Sequence, residues 1–186
     1  MNSFNSVKLG HVGLFVRDLE AMAGFYQRVF QFIVTDVDVG VDGKRRALFF
    51  SSNPQDHHQL VLVSGRATEP GPPIIQQISF ATTSLADVRR AYYALQQEQI
   101  SHIKPITHGT AWSVYFHDPE NNRIEIFADT EWYITQPFVS PIDFNDSDAA
   151  IFAQTEALCR AQPSFMLMSQ WRKETAERLR RQDANL

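Results

Sequence analysis

The sequence contains a single cysteine, Cys159, among its 186 residues. An intrachain disulfide needs two cysteines, so a disulfide framework is excluded, and one thiol agrees with a reducing compartment. Within a helical pattern of apolar residues, such a thiol is best interpreted as a small buried hydrophobic side chain.

Long apolar runs are also missing. A membrane-spanning helix needs about 18 or more consecutive apolar residues, and no stretch of the sequence approaches that length. Residues 1–5 show no basic segment followed by an apolar run, which is the pattern of a secretory signal. We therefore expect a cytoplasmic protein with no membrane contact.

The sequence has no basic stripe, and its formal net charge is −4. This charge distribution makes nucleic acid a poor candidate partner. Lysine and arginine cluster only near the C-terminus, at Arg172, Lys173, Arg178, Arg180 and Arg181.

Apolar residues are plentiful. They make up 44% of the chain and include 14 phenylalanines, enough for a substantial core. A length of 186 residues suits one compact domain of about 130 residues with an extension.

An internal repeat is the most informative pattern in the sequence. Residues 11–15 align with residues 77–81 at an offset of 66 positions, and the same offset places residues 59–62 on residues 125–128. Self-similarity at a fixed spacing indicates a duplicated structural unit.

Polar residues occupy matching positions in the two copies of the repeat. Each copy carries a metal-competent side chain on its first strand and another on its last: His11 and Gln59, then Gln77 and Glu125. Four such groups, related by an approximate two-fold axis, could converge on one point.

The periodicity of apolar residues predicts a βαβββ pattern in each copy. Asp18 and Ser84 are the predicted helix N-caps, and Asn122 is the expected positive-φ residue of the turn at 118–122. In the first copy we predict a strand at 8–16, a helix at 19–30 and strands at 32–39, 45–51 and 58–63. In the second copy we predict a strand at 74–82, a helix at 85–97 and strands at 102–105, 111–117 and 123–128, after a turn-rich linker at 66–73.

Beyond residue 130 the repeat ends, and two helices are predicted. The first is capped by Asp146 or Ser147, and the second runs from about Phe165 to Arg181. The second helix begins with apolar residues that would be costly to expose, so this arm should cover its own domain or contact a neighbour, and we expect a homo-oligomer. The predicted fold is α+β: paired βαβββ modules at 7–66 and 74–130 form a curled mixed sheet around one cavity, followed by a helical extension at 131–186.

Residues 11–19, with Gly24, Phe25 and Tyr26 after them, resemble the opening strand and helix of the vicinal oxygen chelate superfamily. Residues 115–125 resemble its closing hairpin. This superfamily contains glyoxalases, bleomycin resistance proteins and extradiol dioxygenases, and the resemblance covers about residues 7–130. Residues 56–60, together with Tyr115 and Glu125, are most similar to extradiol catechol dioxygenases of the single-domain kind.

The resemblance implies a metal site formed by His11, Gln77 and Glu125. A dioxygenase of this kind would have histidine where Gln77 stands. Two histidines and one carboxylate leave three positions open on Fe(II) for a chelating catecholate and dioxygen. Glutamine offers an amide oxygen instead, which makes Mn(II) more plausible than it would be with two histidines. We expect a divalent metal, with Fe(II) first and Mn(II) second. The alternative is that Gln77 only forms hydrogen bonds and the site is degenerate.

Other residues are candidates for acid–base chemistry or for lining the cavity. We expect His58 to act as the acid–base catalyst, because an imidazole with a pKa near 6.5 can take a proton from a catechol hydroxyl. Strand alternation places His58 and Gln59 on opposite faces, so both can approach the cavity only if the strand begins or bulges there. Gln59 is expected to line the cavity without binding metal.

Tyr115 and His108 complete the predicted catalytic set. The Tyr115 hydroxyl could hold a substrate oxygen, and His108 lies in a loop from which it could supply a proton. His57, His102 and His117 are interpreted as surface or satisfied histidines.

Three functions fit these residues. The leading one is metal-dependent, extradiol-type cleavage of a catechol-like aromatic diol, with a small aromatic substrate and dioxygen as partners. The second is a glyoxalase-type isomerase. This function is disfavoured, because it needs a carboxylate base opposite Glu125 and the sequence has Gln59 there. A metal-free protein that sequesters an aromatic ligand is the third possibility, which Gln77 favours and the presence of both His11 and Glu125 opposes.

Overall fold

The computed structural model describes residues 7–68 and 74–184. These residues fall into two compact units. The first unit contains residues 7–68, 74–76 and 117–123, and the second contains residues 77–116 and 124–184. None of the helices within the described residues is both long and apolar enough to cross a membrane.

The first unit contains one complete βαβββ repeat. Asp18 caps its helix, and the carboxylate oxygen Oδ1 accepts hydrogen bonds from the backbone N–H groups of Glu20 at 3.1 Å and Ala21 at 2.9 Å. The helix buries an apolar face that includes Leu19, Met22 and Phe25. The elements are β1 (Val12–Val16), α1 (Leu19–Phe30), β2 (Ile33–Val39), β3 (Arg45–Ser51) and β4 (Leu60–Ser64).

These strands form a mixed sheet in the order β1-β4-β3-β2. Strand β1 runs parallel to β4, and Leu14 lies opposite Leu62. Both side chains are buried on the face that packs against α1. Because side chains alternate along a strand, Phe15 and Phe49 lie on the opposite face, where Phe49 pairs with Val61 and Phe15 with Val63.

The second unit repeats the plan. Ser84 caps its helix by accepting a hydrogen bond from the Asp87 N–H at 3.2 Å. Strand β5 is parallel to β8, and the sheet order is β10-β6-β7-β8-β5. The elements of the repeat are β5 (Ile78–Ala81), α2 (Leu85–Gln97), β6 (Lys104–Thr107), β7 (Ala111–His117) and β8 (Arg123–Asp129). Without β10, the second sheet reads β5-β8-β7-β6 from its other edge, and these strands correspond in turn to β1, β4, β3 and β2 of the first sheet.

The C-terminal arm also belongs to the second unit. It contains β9 (Trp132–Tyr133), β10 (Ser140–Pro141), α3 (Asp148–Arg160), β11 (Met166–Leu167) and α4 (Met168–Ala184). Helix α3 is capped by Ser147, and its buried Thr155 hydroxyl accepts a hydrogen bond from the Trp112 indole N–H at 2.9 Å. Strand β11 pairs with β9, and Trp171 of α4 stacks on Tyr133 with ring centroids 5.3 Å apart. The arm therefore covers part of its own unit.

Cys159 lies on α3 and is fully buried, which confirms its interpretation as a core residue. Burial, with a smaller contribution from the nearby Glu156 carboxylate, raises the pKa of the Cys159 thiol to about 11. This thiol is therefore protonated at neutral pH.

The α+β class, the paired βαβββ repeats and the C-terminal helices agree with the sequence-based prediction. Helices α1 and α2 have the predicted bounds, but four strands begin two to four residues later than predicted. Apolar residues before three of these strands, such as Leu9, Ile74 and Ile103, have no ladder partner among the described residues, so hydrophobic pattern alone overestimates strand length. The short strands β9, β10 and β11 were not predicted, and β11 delays the start of α4 to Met168. Residues 69–73 of the predicted linker lie outside the described residues.

The turn at residues 118–122 differs from the prediction in one backbone detail. Asn121, with φ 65°, is the left-handed residue, whereas Asn122 was expected to be. Both amide groups of Asn122 are engaged by the Asp118 carboxylate: its backbone N–H lies 2.9 Å from Oδ1 and its side-chain Nδ2 lies 2.8 Å from Oδ2. The preceding asparagine therefore takes the left-handed conformation, which asparagine tolerates.

Two buried carboxylates of this turn contact the first repeat. The Glu120 carboxylate accepts hydrogen bonds from the backbone N–H groups of Arg17 and Asp18, at 2.5 Å and 2.9 Å. Its other oxygen lies 3.2 Å from a guanidinium nitrogen of Arg66. The Tyr26 hydroxyl donates to Asp118 at 3.0 Å. Burial raises the pKa of Asp118 above its ordinary value, although the hydrogen bonds it accepts oppose that shift.

We expect Tyr26→Phe to lower the free energy of unfolding by about 1–3 kcal/mol, because a buried carboxylate loses a donor. Burial, and then the Asp118 charge, raise the pKa of Tyr26 well above its ordinary value. The folded state thus holds this proton more tightly than the unfolded chain. The contribution of Tyr26 is fully present below about pH 10 and is lost as the pH rises beyond it.

Urea unfolding of the wild type and Tyr26→Phe at pH 7 and above pH 10 measures this difference. Tyr93→Phe is the control, because the Tyr93 hydroxyl also donates to one acceptor, the Phe144 carbonyl, but the residue is 39% exposed. Equal losses in the two variants at neutral pH would contradict the expectation.

Candidate functional site

A cluster of polar side chains around one carboxylate, that of Glu125, occupies one face of the second sheet, and we call it the carboxylate cluster. It contains Gln77, Ser79, His108, Tyr115 and Glu125. Ser79 on β5 lies opposite Glu125 on β8, and strand alternation places Gln77 on the same face. Glu125 is only 6% exposed, so its carboxylate requires polar partners.

The two oxygens of the Glu125 carboxylate have different surroundings. Oε2 accepts hydrogen bonds from the Ser79 hydroxyl at 2.5 Å and from the Gln77 side-chain Nε2 at 2.8 Å. Oε1 lies 3.9 Å from His108 Nε2 and has no hydrogen bond within the described residues. One oxygen is thus fixed by neutral donors, and the other retains lone pairs for a ligand.

The same contacts orient the Gln77 amide. Its Nε2 also donates to the Ser79 hydroxyl at 2.9 Å, so both of its N–H groups point into the cluster. The carbonyl oxygen Oε1 then has no hydrogen-bond partner among the described residues. Amide oxygens suit hard divalent ions, so this orientation presents the metal-competent atom of the side chain.

His108 and Tyr115 form a hydrogen-bonded chain beside Glu125. The His108 Nδ1 lies 2.8 Å from the Phe138 carbonyl oxygen, and Nε2 lies 3.0 Å from the Tyr115 hydroxyl. A carbonyl oxygen only accepts hydrogen bonds, so Nδ1 carries a proton. In the neutral ring, Nε2 therefore accepts the Tyr115 hydroxyl hydrogen.

Gly109 allows this loop to turn tightly. Its φ is +74°, and a Cβ placed there would lie 2.4 Å from a side-chain carbon of Ile134. Any larger residue would displace Ile134 or the loop, so glycine fixes the position of His108 one residue before it.

A histidine cluster lies on one face of the first sheet. It contains His11, His57 and His58, with Phe49 beside them. The ring of His58 lies 4.2 Å from that of His11 and 5.2 Å from that of Phe49, measured between centroids. The ring nitrogens of His11 make no hydrogen bond within the described residues, so the lone pair of the neutral ring is not engaged.

The proton state of His58 is constrained by its neighbour His57. Their Nδ1 atoms lie 2.8 Å apart, so one of the two nitrogens must be unprotonated to accept the hydrogen bond. Burial, followed by the charges of His11 and His57, lowers the pKa of His58. His58 is therefore a neutral imidazole at physiological pH, the form that accepts a proton.

The position of His58 answers the geometric question raised by strand alternation. Strand β4 begins at Leu60, so His58 precedes it and does not follow the alternation. Its ring consequently reaches the face that carries His11 and Phe49. Gln59 lies on the same side, but its Oε1 accepts from the Ser52 N–H at 2.9 Å and the Ser52 hydroxyl at 3.0 Å.

A pocket of about 360 Å³ adjoins this cluster in the first unit. His57 of the histidine cluster lines this pocket. The other lining residues are Gln31, Ile33, Thr35, Ser51, Ser52, Asn53, Pro54 and Asp56. A space of this size beside a candidate acid–base residue can receive part of a small ligand.

The sequence reasoning missed Ser79. This residue lies two positions after Gln77, and period-two alternation alone places it on the face of the cluster. Gln136 and the Phe138 carbonyl were also missed, because a backbone acceptor leaves no signal in the sequence.

No group of three or more His, Cys, Asp or Glu side chains within the described residues is arranged to hold a metal ion. The predicted ligand set contains only two residues of those types, since its third member is Gln77. His11 belongs to the first unit, and Gln77 and Glu125 belong to the second. Within the second unit, Gln77 and Glu125 each present an oxygen without a hydrogen bond among the described residues.

A profile of the Glyoxalase/Bleomycin resistance protein/Dioxygenase superfamily matches residues 8–126, which is more than half of the chain. The chain belongs to this superfamily.

Two similar proteins are dioxygenases from Rhodococcus globerulus. Biphenyl-2,3-diol 1,2-dioxygenase 2 is 27% identical over 126 residues, a match that covers 66% of this chain. Biphenyl-2,3-diol 1,2-dioxygenase 3 is 26% identical over 127 residues. The chain spans 63% of the length of these relatives.

Solved structures share the fold. A glyoxylase/bleomycin resistance protein/dioxygenase domain from Frankia sp. EAN1pec matches with a TM-score of 0.55 and 20% identity, over 67% of this chain and 99% of that one. A variant of the fosfomycin resistance protein FosX from Listeria monocytogenes, complexed with Mn(II), matches with a TM-score of 0.52 and 21% identity, over 66% and 93% of the chains. At these identities the similarity concerns the fold alone.

The hydrogen bonds of Gln59 predict a supporting role for this side chain. We expect Gln59→Ala to lower the free energy of unfolding by about 0.5–1.5 kcal/mol and to speed amide exchange at Ser52, whose N–H loses its acceptor. Gln55→Ala is the control, because Gln55 is exposed in the same loop and its side chain makes no hydrogen bond within the described residues. Unchanged Ser52 exchange in Gln59→Ala would contradict this role.

Proposed function

We propose that the protein is a metal-dependent dioxygenase that cleaves the ring of a catechol-like aromatic diol, with dioxygen as co-substrate. The observation that carries this proposal is the carboxylate cluster, in which Glu125 keeps one oxygen unpartnered beside the His108–Tyr115 pair. The similarity to two biphenyl-2,3-diol dioxygenases supports the same reaction class.

His11, Gln77 and Glu125 are the proposed metal ligands. They offer an imidazole nitrogen, an amide oxygen and a carboxylate oxygen, with a total charge of −1 when the imidazole is neutral. A bound divalent ion would supply open coordination positions for a chelating diolate and for dioxygen. Fe(II) is the first candidate. Mn(II) is the second, because the amide oxygen of Gln77 is a harder ligand than imidazole and suits Mn(II).

Ser79 supports this ligand set. Its hydroxyl donates to Glu125 and accepts from Gln77, so it holds both side chains in the orientation that exposes their unpartnered oxygens. Hydrogen bonds of this kind to a metal ligand fix its orientation and contribute to metal affinity.

His58 is the proposed base that takes a proton from the incoming diol. Its neutral imidazole has the required proton state, and its place before β4 directs the ring toward His11. The ring becomes a cation when it accepts the proton, and it can return that proton to the product at a later step. Phe49 and the neighbouring imidazole rings provide an aromatic surface for the substrate ring.

Tyr115 and His108 are the proposed groups that hold a substrate oxygen. The Tyr115 hydroxyl is positioned by His108 Nε2 at 3.0 Å and can turn from that acceptor to the substrate. His108 can then receive the proton that Tyr115 or the substrate releases.

A metal-free binding function is the second candidate, and one observation favours it. The hydrogen bond from Gln77 to Glu125 stabilises the buried carboxylate without a cation. In this alternative, the polar cluster would be satisfied internally and the protein would retain an aromatic ligand unchanged.

Metal binding separates the two functions. We expect anaerobically loaded wild type to retain Fe(II) or Mn(II), measured by elemental analysis. Glu125→Ala should lower metal affinity by at least the roughly 10–100-fold that loss of an outer-shell partner costs, because it removes the anionic ligand. Glu131→Ala is the matched control, since Glu131 is exposed. Gln77→His should raise Fe(II) affinity, because imidazole suits iron better than an amide oxygen does.

Turnover tests the reaction itself. With a panel of catechols, the yellow ring-fission product should form with wild type, and His58→Ala should retain the metal but lose roughly 10²–10⁴-fold in kcat. If neither wild type nor Gln77→His retains any metal, the dioxygenase proposal is wrong and the binding function takes its place.

A further inference from the structure

Gln136 forms a bridge around His108. Its side-chain Nε2 donates to the His108 carbonyl oxygen at 2.8 Å, and its Oε1 accepts from the Phe138 backbone N–H at 3.1 Å. The backbone of His108 is thereby tied to the segment that supplies the Phe138 carbonyl.

The Phe138 carbonyl determines which nitrogen of His108 carries the proton. It lies 2.8 Å from Nδ1, so Nδ1–H is the donor and the neutral ring keeps its lone pair on Nε2. The opposite tautomer would place a lone pair against the carbonyl oxygen and an N–H against the Tyr115 hydroxyl. Only the Nδ1–H tautomer allows Nε2 to accept from Tyr115 or from a substrate hydroxyl.

We infer that Gln136 is a positioning residue that selects the Nδ1–H tautomer of His108 by holding the Phe138 carbonyl against the imidazole. Its action on catalysis rests on the proposed function, because His108 must then act on a substrate through Nε2. The tautomer itself is a property of the folded chain and needs neither metal nor substrate.

The loop has other anchors, so the role of Gln136 can be tested without unfolding the protein. Thr130 donates from its hydroxyl to the Gly109 carbonyl at 2.6 Å, and the His108 N–H donates to the Ala111 carbonyl at 2.9 Å. Gln136 is exposed, and its removal leaves no cavity in the core. The expected defect is therefore local to the imidazole.

The tautomer of His108 determines which ring nitrogen can accept a proton. When His108 accepts a proton, the bond forms at Nε2 and the Nδ1–H bond stays in place. Both N–H groups of the imidazolium then have acceptors, the Phe138 carbonyl on one side and the Tyr115 oxygen on the other, with Glu125 Oε1 nearby at 3.9 Å. A ring in the opposite tautomer has no acceptor site facing Tyr115.

The test is nitrogen-15 spectroscopy of the histidine side chains in the metal-free, full-length protein at about pH 8, where a histidine of ordinary pKa is neutral. His108→Ala identifies the His108 signals. We expect the Nδ1–H tautomer in wild type and new signals of the Nε2–H tautomer in Gln136→Ala. The matched control is Gln154→Ala, an exposed glutamine on α3 whose side chain makes no hydrogen bond within the described residues.

Gln136→Glu provides a second variant of nearly the same size. It keeps an acceptor for the Phe138 N–H but loses the donor to the His108 carbonyl, so it should also show mixed tautomers. If both variants retain the wild-type tautomer, the inference is wrong.

Kinetics then separate this inference from the proposed function. If wild type cleaves catechols, Gln136→Ala should lower kcat by up to roughly 100-fold with KM nearly unchanged, because a catalytic group is misoriented. If wild type has no activity, the proposed function fails while the tautomer measurement still decides the role of Gln136. An unchanged kcat together with a changed tautomer would overturn the catalytic part of the inference.

Discussion

A buried carboxylate at the start of α1 is the contact that holds the first unit together. Glu120 comes from the turn between β7 and β8, more than a hundred positions along the chain, yet it accepts the N–H groups of Arg17 and Asp18, the two residues just before the helix. Its charge is balanced by Arg17 and Arg66 and by the positive end of the helix dipole. Removing the Glu120 carboxylate would leave the backbone N–H groups of Arg17 and Asp18 without their acceptor. The elements that carry the histidine cluster pack on this helix.

Local sequence signals predicted the regular elements well and the long-range pairings poorly. The caps Asp18 and Ser84 fixed the starts of α1 and α2, because each side-chain oxygen binds N–H groups only two or three residues away. Strands β9 and β11 are two residues long and exist only because Tyr133 pairs with Met166. No residue near either of them in the sequence predicts this contact. The same reason explains why α4 begins at Met168 and not at Phe165.

The candidate site also combines features that the sequence predicted with features that it could not predict. The internal repeat identified Gln77 and Glu125 as polar residues that could converge, and the structure joins them by a hydrogen bond. The face occupied by His58 could not be derived from alternation, because the residue lies before its strand. The tautomer of His108 depends on a backbone carbonyl thirty positions away, a group that every residue possesses and that therefore leaves no trace in composition. The sequence thus indicates which polar side chains share a cluster, but it does not indicate where their protons lie.

The burial of Cys159 has a consequence for the durability of the protein. Oxidants attack the thiolate at exposed sites, forming sulfenic acid first and irreversible acids later. With a pKa of about 11 and no exposed surface, the only sulfhydryl of the chain meets neither condition. Thiol reductants would therefore do little to protect the protein from oxidation at this residue.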